Sequence, residues 1–146
     1  MPEPVCEPEP ERGKAVNCFD HEKLDVYKVA IEFVILANEI TVHLPKGRAY
    51  LADQLQRAAS SIPLNIAEGA GEYSSNEKCR FYRMAKRSAT ECAGILDVCH
   101  QLALMEETRH VKSRVLLLRI VAMLTRMAQL SGNSGSGSHT GSGTIR

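Results

Sequence analysis

Between residues 21 and 130, apolar residues recur at alternating spacings of three and four, and no stretch alternates apolar with polar residue by residue. That period belongs to amphipathic helices rather than strands. A first helix is predicted over about residues 21–43, where Val26, Ala30, Phe33, Ala37, Ile40 and Leu44 form a packing seam. Leu24, Tyr27, Ile31 and Val34 widen its apolar arc. Pro45-Lys46-Gly47 ends it, because proline cannot continue the hydrogen-bond ladder and glycine suits a C-terminal turn. A second helix is predicted over about residues 48–68, with Leu51, Leu55, Ala58, Ile62 and Ile66 on one face. Pro63 lies inside it and lacks the N–H that would bond the Ala59 carbonyl, so a kink is expected there. Ser60 and Ser61 are near enough to satisfy freed backbone groups.

Ser74-x-x-Glu77 reads as a capping box that opens a third helix. Its seam (Phe81, Ala85, Ser88, Cys92, Ile95, Cys99, Leu102) carries the pattern to about residue 105. The middle of the seam is small (Ala85, Ser88, Ala89, Cys92, Ala93, Gly94), which lets a neighbouring backbone come close. The fourth helix, over about residues 108–130, contains the run VLLLRIVAML. Short connections imply antiparallel neighbours, so the predicted fold is all-α: an up-down four-helix bundle with a kinked second helix. The fourth helix is more apolar than one seam requires. Broad exposed apolar patches are rare on monomers, which points to self-association.

The bundle is predicted over residues 21–130, flanked by two disordered tails. Residues 1–20 hold five acids, two bases and four of the six prolines, the make-up of an extended, solvated leader. Residues 131–146 form a Gly/Ser-rich flexible tail. No uninterrupted apolar run reaches the roughly 18 residues of a membrane span, and the N-terminus does not read as a signal peptide. Five cysteines without a C-x-x-C argue against a disulfide framework and for a reduced, cytoplasmic setting. Cys92 and Cys99 are expected as buried thiols.

Catalytic chemistry finds no support. G-x-S-x-G, H-E-x-x-H and a phosphate-cradling glycine loop are all missing. Asp97-x-x-His100 and Glu107-x-x-His110 resemble fragments of a di-iron bundle motif, but matching ligands on facing helices are lacking. No metal, no cofactor and no enzymatic activity are therefore expected. The basic residues are more informative. Lys78, Arg80, Arg83, Lys86 and Arg87 form an acid-free cluster, and Lys112, Arg119 and Arg126 recur every seven residues with Arg109 a turn below Lys112. Repeated in a symmetric oligomer, such stripes make a phosphate-binding surface.

The run LADQLQRAASSIPLNIAEGAGEYSSNEKCRFYRMAKRSATEC resembles a family of small bacterial four-helix bundle proteins encoded in intervening sequences of large-subunit ribosomal RNA genes. The resemblance rests on Leu51, Gln54, Leu55, Arg57 to Ala59, Ser61 to Pro63, Asn65 to Gly69, Ser74, Arg80 to Tyr82 and Ser88 to Glu91. Asp25-Val26-Tyr27 and Leu44-Pro45 also fit, so it covers about residues 23–130. It implies a homo-pentamer with a central opening. It also implies kinship with the accessory proteins of diversity-generating retroelements, which bind a reverse transcriptase and nucleic acid. Glu72 and Arg87 depart from the family pattern, where Arg and Gly are common, so charge on the surface is redistributed.

Together these readings predict a non-enzymatic homo-oligomer that binds RNA or a ribonucleoprotein through basic stripes. The alternative is a scaffold that recruits a partner such as a reverse transcriptase without touching nucleic acid. Arg57, Asn65, Glu68 and Glu91 are expected to form an internal polar network that fixes helix register.

Overall fold

The computed structural model describes residues 17–134. Four helices dominate it: α1 (Asp25–Val42), α2 (Ala49–Gly71), α3 (Ser75–Gln101) and α4 (Glu107–Ser134). The acidic leader up to residue 16 and the tail from residue 135 lie outside the described residues. α1 packs against α2 and α4, and α3 against α2 and α4, while the diagonal pairs do not meet. The result is an antiparallel up-down bundle with one shared core.

Each helix boundary has a local cause. α1 starts four residues later than the periodicity suggests, because Asp20–Lys23 forms a 3-10 turn and Leu24 is extended. At its other end the His43 ring meets the Glu39 carbonyl at 2.7 Å. Pro45 is extended and leads through a second 3-10 turn, Lys46–Arg48, into α2. The second helix is kinked but not broken, and its helical backbone runs through the buried Pro63 to Gly71. The serines serve other partners than the Ala59 carbonyl. Ser60 Oγ donates to the Gln56 and Arg57 carbonyls, at 2.8 and 3.2 Å, and Ser61 turns toward α3. The C-terminal carbonyls of α2 at Gly69 and Ala70 accept from Lys78 Nζ at 3.3 and 2.9 Å, a cation at the negative end of the helix dipole.

Ser74 caps α3 as expected, its Oγ accepting from the Glu77 N–H at 3.4 Å. α3 ends at Gln101 rather than near residue 105. Leu104 N–H reaches back to the Cys99 carbonyl at 2.9 Å, and Ala103 N–H to that of His100 at 3.0 Å. This is the paired-bond closure that normally uses a left-handed glycine, but here Ala103 occupies the position at φ 55°. A Cβ in that conformation costs about 1 kcal/mol. Ala103→Gly is therefore expected to stabilise the bundle by about 1 kcal/mol in chemical denaturation, with the m-value unchanged.

The core is built from Phe33, Leu36 and Ile40 of α1, Leu55, Ile62 and Ile66 of α2, Leu96 of α3, and Ile120 and Leu124 of α4. Ala85 and Ala89, fully buried, provide the small seam of α3. Close approach is tightest at Gly69, where an added Cβ would lie 2.8 Å from Tyr82 Cε1 and 3.0 Å from Phe81 Cβ. Phe81 Cβ is held by its backbone, so a methyl group there forces α2 and α3 apart. Gly69→Ala is expected to destabilise the fold by about 2 kcal/mol, despite alanine's better helix propensity. Thermal or urea unfolding measures it.

Cys79, Cys92 and Cys99 are buried thiols. Burial, helped by the Glu91 charge, pushes the Cys92 thiol up from 9.0 to about 12, and burial also raises Cys99. Because ionisation is disfavoured in the fold, the stability tied to Cys92 is complete below about pH 9 and declines toward pH 12. Half-exposed Cys18 is expected to react with a maleimide at pH 7.5, whereas these three thiols react only after unfolding. Mass spectrometry of labelled peptides reads the difference.

α4 is also the described helix that is long and apolar enough to cross a membrane, with a mean hydropathy of 1.4 over its most apolar 18 residues. A count of uninterrupted apolar runs overlooks it because arginines punctuate it. In the structure it packs along α3 and α1, with Ser113, Leu116, Leu117, Ile120, Leu124 and Ala128 in the core.

Candidate nucleic-acid interface

Two contacts fix the antiparallel register of α3 on α4. Cys79 Sγ lies 3.5 Å from the Ala128 carbonyl oxygen, and His110 Nε2 lies 3.0 Å from Asp97 Oδ1. One residue for one between those points, Arg83 lies level with Leu124 and Lys86 level with Val121. The α3 bases therefore share a height on the bundle with Arg119 and Arg126 of α4.

The nine bases expected at the interface fall into four groups. Lys78 is committed to the carbonyls that end α2, so it is a structural cap and no longer a free phosphate contact. Arg80 is exposed but pairs with Glu77 at 3.2 Å, and its guanidinium lies 5.4 Å from the centre of the Phe81 ring. Arg83, Lys86 and Arg87 line one shallow concavity with Thr90, and among the described residues they make no ion pair. Lys112, Arg119 and Arg126 form an exposed stripe on α4, with Arg109 half-buried above it. At 1.5 Å of rise per residue the stripe's members stand about 10 Å apart. No carboxylate occurs on α4 after Glu107.

One base was not visible as part of this surface in the seven-residue stripe. Arg114 lies on the α3 side of α4 and lines a largely apolar groove of about 210 Å³ between the two helices. Its position one turn before Leu118, rather than seven from Arg119, is the signal that separates it from the stripe. Ala89, Ala93, Leu117, Leu118 and Val121 supply the apolar wall of the groove.

His100 and His110 stack face to face, with ring centres 4.2 Å apart and planes 6° from parallel. Asp97 ties down the His110 edge. α4 begins at Glu107, so Glu107 and His110 share its first turn. Among the described residues, no group of three or more His, Cys, Asp or Glu is placed to hold an ion.

The expected polar network of Arg57, Asn65, Glu68 and Glu91 is not assembled inside the protomer. Of the four, Asn65 alone has an inward partner, and it lies within α2: its Nδ2 donates to the Ser61 carbonyl at 2.8 Å and to Ser61 Oγ at 2.9 Å. Ser61 Oγ in turn meets Ser88 Oγ of α3 at 2.8 Å. Arg57 points outward and pairs with Asp53 at 3.2 Å, while Glu68 and Glu91 are exposed. The Ser61–Ser88 pair thus ties α2 to α3, with Asn65 holding Ser61 from within α2. The serines were missed because small hydroxyl residues in a seam read as packing. The three charged residues lie on the same outer side as Leu64 and Met84, which are 63% and 39% exposed.

The opposite side of the bundle exposes a second apolar surface. Ile31, Ile35 and Val42 stand outward on α1, and Val111, Val115 and Leu118 on α4. All six are large apolar side chains spaced three, four or seven residues apart along their helices, the geometry of a helix face with no partner in the protomer.

Fold and surface define a small helical bundle whose polar chemistry lies on its outside, not in an enclosed pocket. The chain belongs to the family of 23S rRNA-intervening sequence proteins, whose family model matches residues 22–126. With its fold, that membership makes it a non-enzymatic four-helix-bundle protein. A comparison with curated proteins finds no match.

Proposed function

We propose that the protein acts in the cytoplasm as a homo-oligomer, pentameric by family resemblance, that binds RNA or a ribonucleoprotein through basic faces repeated from copy to copy. The observation that carries the RNA reading is the concavity of Arg83, Lys86 and Arg87, three cations without a carboxylate partner, at the same height as Arg119 and Arg126 on the next helix. Three uncompensated cations so close repel one another, and a polyanion relieves that repulsion.

Self-association is supported by the two apolar faces on opposite sides of the bundle, Ile35 with Val115 on one and Leu64 with Met84 on the other. Contact between unlike faces is heterologous, and such contacts close into rings when the rotation allows. In that arrangement Arg57, Glu68 and Glu91 make their polar network between copies. Binding of a structured RNA to the full-length protein, followed by fluorescence anisotropy at 100 mM salt, tests the reading. Saturable binding supports it. Absence of binding, together with recovery of a specific protein such as a reverse transcriptase in a nuclease-treated pull-down, favours the scaffold role for the same apolar faces.

A further inference from the structure

The α3–α4 surface has a feature that RNA binding alone does not use. The basic concavity of Arg83, Lys86 and Arg87 and the apolar groove beside it share Thr90, which lines both. They form one continuous track along α3, with Ala93 and Val121 in its apolar part and Arg114 on its far wall. Two carboxylates border the track. Asp97 is held by His110, and Glu91 lies on the outer side of α3. An occupant that fits must bring carboxylates or phosphates together with a narrow apolar body.

Residues 1–16 of this chain have that chemistry. They carry Glu3, Glu7, Glu9 and Glu11, and their two bases, Arg12 and Lys14, come last, so residues 1–11 hold four acids and no base. Pro2, Pro4, Pro8 and Pro10 favour the extended left-handed helix of three residues per turn. Bound in that form, Pro2, Val5 and Pro8 share one apolar face, and Glu3 and Glu9 share the next. The segment also has the reach. The described chain begins at Asn17, three residues before Asp20, which lies against Tyr82 and Lys78 at the start of α3. From the level of Tyr82 to Asp97 is about 22 Å of helix. Sixteen residues in the extended form span about 50 Å.

We infer that the acidic, proline-rich segment 1–16 docks on the α3–α4 track, its carboxylates on Arg83, Lys86 and Arg87, and holds off RNA by occupying the phosphate site. The competition rests on the RNA reading above; the docking does not. Phosphates outcompete the segment because each RNA brings many charges, whereas the segment brings four. The bundle thereby keeps weak polyanions away and admits strong ones.

Cys6 makes the docking measurable in the full-length chain. In a Cys18→Ser background a nitroxide at Cys6 is the accessible label, since Cys79, Cys92 and Cys99 are buried. At 50 mM salt the expected result is selective broadening of the amide signals of Thr90, Ala93 and Val121. It disappears at 500 mM salt and in the variant with Glu3, Glu7, Glu9 and Glu11 all changed to Gln. Broadening that is absent, spread evenly over the bundle, or unchanged by salt overturns the docking. The same Gln variant is expected to bind RNA about 3- to 10-fold more tightly at 50 mM salt, the gain from freeing a site that is mostly occupied. Equal affinity of variant and parent overturns the competition. Selective broadening in a protein that binds no RNA keeps the docking and removes the RNA reading.

Discussion

Changing Arg83, Lys86 and Arg119 together to Glu is expected to lower RNA affinity by about 100-fold or more at 100 mM salt. The size follows from counterion release. Each phosphate neutralised on a single strand contributes a log–log salt slope of about 0.7, so at 0.1 M one contact is worth about 5-fold relative to 1 M salt, and three about 100-fold. Reversal exceeds neutralisation because it adds repulsion. The fold should survive, since Arg83 and Arg119 are exposed, Lys86 is half-exposed, and none pairs with a carboxylate in the described bundle. A matched change at Arg80, which already satisfies Glu77, is expected to cost much less. Equal losses at Arg80 and Arg83 would mean that net charge, and not the concavity, governs binding. Circular dichroism on each variant separates loss of binding from loss of fold.

Ile35→Glu combined with Val115→Glu is expected to convert the proposed oligomer to a monomer at micromolar concentration. Ile35 and Val115 are 57% and 53% exposed in the protomer, so the substitutions leave its core intact. Placing a carboxylate at each position in every buried copy–copy contact costs several kcal/mol per contact, enough to dissociate an interface of ordinary size. Light scattering coupled to size exclusion reads the mass directly, and an unchanged mass would remove this face from the assembly. The monomer should also bind RNA more weakly than the oligomer. It retains each basic concavity but loses the linked concavities that multiply affinity.

The bundle was legible because three-and-four spacing over a hundred residues has few other solutions, and every helix it predicts is present. The errors lie at the ends, where local hydrogen bonds override periodicity. The seam of α3 runs on through Leu102, but a left-handed Ala103 stops the helix regardless of apolar pattern. Asp20–Lys23 are polar enough to start α1 yet coil into a 3-10 turn.

The surface was harder to read, because a run of like charges does not say which members are spent. Lys78 and Arg80 look equivalent to Arg83 in sequence. Lys78 caps α2, which depends on the turn that brings residues 69–78 together, and Arg80 pairs with Glu77 one turn back in α3. The charged signature residues were misplaced for a related reason. Arg57, Glu68 and Glu91 sit among apolar neighbours in sequence, but the helix turns them outward, and only Asn65 reaches an inner partner. Spacing alone does not tell an outward-turned charged residue among apolar neighbours from a buried one.

The salt dependence of RNA binding by the full-length protein tests the central claim most directly. Between 50 and 500 mM salt, the logarithm of the affinity should fall linearly with the logarithm of the salt concentration, with a slope of about −3 or steeper, as expected for four or more neutralised phosphates. Absence of binding at 100 mM, or a slope near zero, would contradict it.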